Sequence, residues 1–482
     1  MIDLRPVGYV IGILVAFMGV TMVIPMGFDI AYNNGHWSVF LRSMVIASLS
    51  GVFLALACSN ANPGRLTVQQ TFLLTSLVWF CLPIFGGIPF YLTVDHATVT
   101  DAFFESMSAL TTTGSTVYSG LEHMPEGILV WRSMLQWFGG IGIIVVAMVF
   151  LPELRVGGMQ IFKTESFDTM GKILPRAAEI ARQISTIYLL LTFACFTTYL
   201  IVGMTKFDAL NFALTTVSTG GFAPTDESFG RYQGLPEYVA SVFMVAASLP
   251  FVRYVQLIAG TARPILTDPQ VRAFVIMILM IAFLLCLFQI VVDGEDFEQG
   301  FREALFNITS IASGTGYASV DYQLWGVFPM VVFFFVGLVG GCAGSTCCSV
   351  KIFRYQILFS AIASQIRRIH NPHGVFAPKF GGRRVSEEVL SSVMGFFVIF
   401  VVTLGVMSVA MSLTGLDFVT SVSGAATAVG NIGPGLGPII GPAGNFGPLN
   451  DAAKWICIFG MYVGRLELLA VYVIFTSYFW RT

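Results

Sequence analysis

Four stretches of this 482-residue chain carry the same chemical groups at the same spacing. They are "DAFFESMSALTTTG" (Asp101 to Gly114), "DALNFALTTVSTGG" (Asp208 to Gly221), "EALFNITSIASGTG" (Glu303 to Gly316) and "DFVTSVSGAATAVG" (Asp417 to Gly430). In each, a glycine follows an acid by 13 positions, and a hydroxyl residue (Thr111, Ser218, Ser313 or Thr427) follows it by ten. An acid at the start of a short helix caps free N–H groups and meets the positive end of the helix dipole. A glycine at the other end lets the chain turn so that carbonyl oxygens face inward, and the hydroxyls add further oxygens. Four such segments around one axis would replace the water shell of a cation with neutral oxygens, which is how cation-selective filters are built. The candidate ligand stretches are Thr111, Thr112, Thr113 and Gly114; Ser218, Thr219, Gly220 and Gly221; Ser313, Gly314, Thr315 and Gly316; and Thr427, Ala428, Val429, Gly430 and Asn431. Asp101, Asp208, Glu303 and Asp417 are the expected helix starts.

Such segments need a membrane around them, and the composition provides for one. The chain is 56% hydrophobic and 11% charged, with a mean hydropathy of +0.80, against about 25% charged residues in soluble domains. Long apolar runs begin near residues 8, 37, 69, 128, 183, 236, 272, 325, 389 and 452, which predicts ten spans. The run from 8 to 28 reads as a first span and not as a signal peptide, because no convincing small-residue cleavage site follows it. The threonine-glycine stretches are too short to cross alone, so they read as re-entrant elements lining a water-filled cavity. Of the 25 Lys and Arg, 17 lie near residues 1–6, 59–68, 153–182, 261–272, 351–388 and 481. By the positive-inside rule both termini are cytoplasmic and the threonine-glycine segments face outward. The expected fold is an all-α polytopic membrane protein: two N-terminal transmembrane helices (1–66), then four helix–pore loop–helix repeats (67–160, 161–265, 266–370 and 371–482) around a central ion pathway.

Two features on the cytoplasmic side of these segments read as gates. In "GLVGGCAGSTCCSVK" (Gly337 to Lys351), four glycines and several small polar residues interrupt an apolar helix. Each glycine costs a helix about 1 kcal/mol against alanine, so the cluster around Gly340, Gly341, Gly344, Ser345, Thr346 and Lys351 predicts a loop; close packing through small residues is the alternative. The second is Arg465, inside a span, where a guanidinium faces a cavity or a partner and would oppose a passing cation. Its alternative role is a structural ion pair. Arg132 and Arg253 read as snorkelling or interhelical pairs.

Other chemistries are poorly supported. The eight cysteines form no CxxC pair, and no HExxH or GxGD motif is present, so neither a metal site nor an enzyme is indicated. His370 and His373 have no matching ligands nearby. A net charge of −2 without a basic patch argues against nucleic acid. A coupled solute transporter would show inverted repeats, whereas these copies begin and end on the same side.

"SALTTTGSTV", "QWFGGIGIIV" (Gln136 to Val145), "STGGF", "SGTGY" and "GRLEL" together resemble the Trk/Ktr/HKT superfamily of potassium transporters, most closely its bacterial TrkH branch, over nearly the whole chain. The resemblance implies potassium uptake across a bacterial inner membrane, with Gly114, Gly221, Gly316 and Gly430 as filter glycines. It places the loop in repeat 3 and Arg465 in repeat 4 as gates. It also implies a homodimer regulated by a TrkA-like cytosolic ring. Nucleotide would belong to that ring, since this chain has no GxxxxGK[ST] loop; potassium is its substrate and it carries no cofactor. A sodium- or proton-coupled symporter of the same fold is the alternative. The basic loops 153–182 and 361–388 are candidate docking surfaces for the ring or for anionic lipid.

Overall fold

The computed structural model describes residues 2–60, 66–94, 97–147, 157–159, 177–261 and 263–481. Most of the basic loop 153–182 lies outside the described residues. From the N-terminus, α1 (Arg5–Thr21) and α2 (Val23–Ala31) make one 27-residue span beside α3 (Trp37–Ala57). Small residues let their backbones meet: a Cβ on Gly12 would lie 2.6 Å from the Ala55 nitrogen, and one on Gly51 2.4 Å from that of Ala16.

A pattern of long helix, short helix and returning helix then recurs four times. In the first, α4 (Val68–Gly86) and α5 (Ile88–Thr93) lead into the short α6 (Val99–Leu110), and α7 (Glu126–Val145) returns. In the second, α8 (Ala177–Ile201) leads into α9 (Lys206–Val217), and the return is α10 (Leu235–Ala247) with α11 (Phe251–Ile258). The third comprises α12 (Arg263–Thr267), α13 (Pro269–Val292), α14 (Phe297–Ser313), α15 (Val327–Gly337) and α16 (Ile352–His370). The fourth comprises α17 (Glu387–Ser412), α18 (Phe418–Gly430), α19 (Asp451–Arg465), α20 (Leu469–Tyr472) and α21 (Ser477–Trp480). Outer spans such as α13 and α17 are only 28% buried although strongly apolar, as helices facing hydrocarbon are, whereas α7 is 72% buried and lies at the centre.

The ten expected spans are modified. Among the described residues seven helices are long and apolar enough to cross a bilayer, or nine if two bent pairs each count as one. The pair α10 and α11 bends by 91° at Pro250, which has no N–H to continue the helix. The pair formed by α19 and the helical stretch Leu469–Phe475 bends by 102°, where Glu467 and Leu468 take positive φ. The eighth run, from residue 325, is split. Helix α15 ends after 11 residues, and residues 338–351 are non-helical, with a short parallel ladder between β1 (Val339–Gly340) and β2 (Val350–Lys351). The glycine cluster thus forms a loop, not a packed helix. A second ladder, β3 (Lys379–Phe380) against β4 (Arg383–Arg384), follows α16, so the chain is mostly helical and not purely so.

Candidate functional site

Each short helix is started by a side-chain cap, though not always by the expected acid. The Thr98 hydroxyl accepts from the Asp101 amide at 3.1 Å, and the Asp101 carboxylate accepts in return from the Thr98 amide. Thr205 accepts from the Asp208 amide, Asp296 from that of Glu298 and Asp417 from that of Thr420, each at 3.1 Å. Of the four acids only Asp417 is itself the cap. Asp101 and Asp208 occupy the third helical position, and Glu303 lies inside α14, which begins at Phe297, so it caps nothing. Burial alone would raise the Asp101 carboxyl, but Lys454, 2.7 Å away, and Thr98 outweigh it and hold it below the usual carboxylate range.

The C-terminal ends correspond more closely. Thr112 (φ 52°), Thr219 (51°), Gly314 (76°) and Asn431 (50°) take the left-handed conformation directly beyond the helical geometry. Two residues later Gly114 (85°), Gly221 (78°) and Gly316 (83°) take it again. Thr112 and Thr219 lie 14 positions after the caps Thr98 and Thr205, and Asn431 lies 14 after the cap Asp417. Aligning the acids therefore displaces the fourth copy by three residues, close to one helical turn. Gly430, expected at the turn, is the last residue of α18, and Thr427, Ala428 and Val429 lie within that helix. Gly433 stands where the other copies have Gly114, Gly221 and Gly316.

The four loops close on one another. A Cβ on Gly114 would sit 2.2 Å from the Gly220 carbonyl oxygen, and one on Gly221 1.8 Å from that of Thr315. One on Gly316 would sit 2.6 Å from the Gly433 nitrogen, and one on Gly433 3.2 Å from the Gly114 oxygen. These contacts run through the copies in chain order and return to the first, so the loops form a ring too tight for side chains at Gly114 and Gly221. Hydrogen bonds cross the joints: Ser115 Oγ donates to the Gly433 oxygen (2.7 Å), Asn431 Nδ2 to Thr113 Oγ1 (3.0 Å), and the Tyr317 hydroxyl meets Thr215 Oγ1 (2.5 Å). Every residue of the ring is uncharged. On one side it floors a cavity of about 140 Å³, bounded by Gly114, Gly221, Gly316 and Gly433, with Asp226 in the wall.

Behind the ring lies a buried ion pair that the sequence reading divided. Of the two readings open for Arg132, snorkelling or an interhelical pair, the structure shows the pair; its partner Glu105, within α6, is a lone acid in an apolar helix and carries no spacing signal. Arg132 Nε donates to Glu105 Oε1 at 2.8 Å, with both side chains almost fully buried. Arg132 also donates to the Ala223 carbonyl and to Thr116 Oγ1, while Glu105 accepts from the Val117 amide. The pair thus ties the first loop to the second. Removing one partner of a buried pair typically costs about 3–5 kcal/mol, so Glu105→Ala is expected to lower the melting temperature of the detergent-solubilised protein by several degrees or more. An unchanged melting curve would mean the pair contributes nothing.

The loop at 338–351 closes the other side of the ring. The Ser349 amide donates to the Gly430 carbonyl at 3.0 Å, Cys348 Sγ lies 3.7 Å from Thr112 Oγ1, and a Cβ on Gly314 would lie 3.5 Å from the Cys348 nitrogen. The loop is pinned from outside: the Cys342 amide donates to the Ser248 oxygen, the Ala343 amide to Gln270 Oε1, and Thr346 Oγ1 to the Ala247 oxygen. Gly340 and Gly341 admit close contacts with Cys348 and Cys347, and Gly344 turns at φ 74°. Lys351, buried, bonds back to the Cys347 carbonyl.

Arg465 meets this loop. Its guanidinium contacts Cys348 Sγ, the Thr346 carbonyl (3.3 Å) and the Gly139 carbonyl (3.2 Å), and it lies 5.5 Å from the Trp79 ring. Among the described residues no carboxylate lies within ion-pair distance, and Arg465 Nε has no partner. Glu467 pairs instead with Arg354, a buried residue that sequence reasoning missed. Arg354 stacks over Phe396 at 3.8 Å and donates to the Gly157 carbonyl. Arg253 pairs with Asp268 at 2.8 Å, an interhelical contact as expected. The eight cysteines are free thiols, six of them buried.

Comparison with known proteins bears on this arrangement. Residues 36–480 match the family model described as "TrkH: Cation transport protein". The chain is 39% identical over 478 residues to "Trk system potassium uptake protein TrkI" of Halomonas elongata, covering 99% of this chain and 97% of that one. It is 35% identical to "Trk system potassium uptake protein TrkH" of Vibrio parahaemolyticus, over 99% of both. The crystal structure of the potassium transporter TrkH from Vibrio parahaemolyticus superposes with a TM-score of 0.91 at 32% identity, covering 100% of each chain. With a ring of four matched loops, a loop and an arginine beneath it, and full-length relatives of this kind, the chain belongs to the TrkH family of cation transport proteins, and it is a membrane transporter, not an enzyme.

Proposed function

We propose that this chain is the potassium-conducting membrane subunit of a Trk-type uptake system. The observation that carries the reading is the closed ring of four glycine-bearing loops, each placed at the C-terminal end of a short helix. An ion entering the ring exchanges hydration water for carbonyl and hydroxyl oxygens, and the four helix ends add partial negative charge without a fixed anion. A ring of neutral oxygens holds a monovalent cation weakly enough to release it. Thr111–Gly114, Ser218–Gly221 and Ser313–Gly316 form three quarters of this filter, and Asn431 to Gly433 form the fourth. The four repeats, at 67–160, 161–265, 266–370 and 371–482, supply one loop each, after the helix pair of residues 1–66.

The 338–351 loop and Arg465 act as two barriers in series on the cytoplasmic side: a steric plug, and a positive charge that repels the ion. With both termini cytoplasmic, the cavity bearing Asp226 is the outer mouth, where a carboxylate concentrates cations. The chain works as a homodimer in the bacterial inner membrane, under a TrkA-like cytosolic ring that binds nucleotide and docks on segments such as 361–388. Purified protein in liposomes tests the reading, with potassium, sodium and pH gradients set independently. A potassium flux that follows voltage and persists without sodium or proton gradients is expected. Flux that requires either gradient would make the chain a symporter of the same fold.

A further inference from the structure

We propose that Gln136 is a selectivity-determining positioning residue, which stands in for a filter side chain that the second loop lacks. The inference rests on the filter reading above. In the first loop Thr111 Oγ1 and Thr113 Oγ1 are hydrogen-bonded at 2.7 Å, and in the third Ser313 Oγ and Thr315 Oγ1 are bonded at the same distance. Each bond braces the loop across the left-handed residue between its two partners. In the second loop the position of Thr113 and Thr315 is Gly220, so Ser218 has no such partner and bonds to the Thr215 carbonyl instead.

The missing volume is filled from another helix. Gln136, fully buried on α7, donates from Nε2 to the Gly220 carbonyl at 2.6 Å and accepts at Oε1 from the Phe222 amide at 3.0 Å. One amide therefore grips the backbone on both sides of Gly221. A Cβ on Gly220 would fall 2.4 Å from Cδ and Oε1 of Gln136, so the amide occupies the place where the other two loops carry threonine. Gly220 itself has no positive φ, so its backbone would accept a side chain if the amide were absent. Its carbonyl is also the atom that Gly114 abuts in the ring, which links the clamp to the joint between loops one and two. Two further glycines seat α7 against the same helix ends: Gly139 packs on the Leu110 carbonyl and Gly140 on Ser218.

Three variants test this by potassium and sodium flux in proteoliposomes, beside Gly316→Ser as a filter control. Gln136→Met keeps the length and removes both hydrogen bonds, and it is expected to lower the potassium-to-sodium flux ratio by about tenfold, as when about half of the loss of two buried hydrogen bonds falls on the selective geometry of the loop. Gly220→Thr alone clashes with Gln136 and is expected to lose flux. Gln136→Ala combined with Gly220→Thr restores a hydroxyl partner for Ser218 and is expected to recover most of the ratio. A ratio unchanged in Gln136→Met while Gly316→Ser lowers it would overturn the role of Gln136 and leave the filter reading intact. Ratios unchanged in both would overturn the two together. Should Gln136→Met fail to reach the membrane, the double variant decides: recovered folding and selectivity support the clamp, and failure of either overturns it.

Discussion

Replacing Arg465 with alanine is expected to raise potassium flux through purified protein by about tenfold or more, while Arg465→Lys stays near the parent value. Coulomb's law supplies the size: a unit charge about 8 Å from an ion, at an effective dielectric near 20, opposes it by about 2 kcal/mol. No carboxylate among the described residues lies within ion-pair distance of the guanidinium, so under the proposed reading its charge is left to oppose the ion. The alanine variant removes the charge and also the contacts with Cys348, Thr346 and Gly139 that brace the 338–351 loop. The lysine variant separates the two effects, since it keeps the charge and loses the fork of donors. Flux of folded Arg465→Ala equal to that of the parent would remove Arg465 from the gate.

The second large effect is at the ring. Gly221→Ala would drive a Cβ to 1.8 Å from the Thr315 oxygen at a residue with φ 78°, so both sterics and backbone forbid it without moving two loops. The expected outcome is loss of most potassium flux and of preference over sodium, from protein that still inserts in the membrane. Gly430→Ala makes the contrast. Gly430 is helical and its Cβ would meet chiefly the Ser349 hydroxyl, which can rotate, so the potassium-to-sodium ratio should survive. A ratio lost in Gly430→Ala and kept in Gly221→Ala would reverse the assignment of the ring.

Much of this arrangement is legible in the chain. The threonine-glycine stretches are polar islands in an apolar sequence, and their recurrence at matched spacing exposes them because each is constrained by the same helix end. The break at 338–351 is legible because glycines and small polar residues remove helix propensity locally. Local composition likewise marks Arg465 as a charge out of place.

The register of the fourth copy is not legible in this way. Asp417 caps its helix directly, while Asp101 and Asp208 sit three residues further in, behind Thr98 and Thr205. Acids serve both positions, so residue type alone cannot say which turn a glycine will reach. The partners Glu105 and Arg354 are equally silent in sequence, and Gln136, though it opens a recognisable motif, does not show its role there, because each acts on a segment tens to hundreds of residues away. By itself the sequence determined that the protein crosses the membrane repeatedly and that four matched segments interrupt its spans, since hydropathy and capping are local properties. Only the tertiary structure decided that Gly433 and not Gly430 completes the ring, that Glu467 serves Arg354 and leaves Arg465 without a carboxylate, and that Gln136 braces the second loop. Those outcomes depend on which backbones and side chains share the same few ångströms, and packing alone settles that.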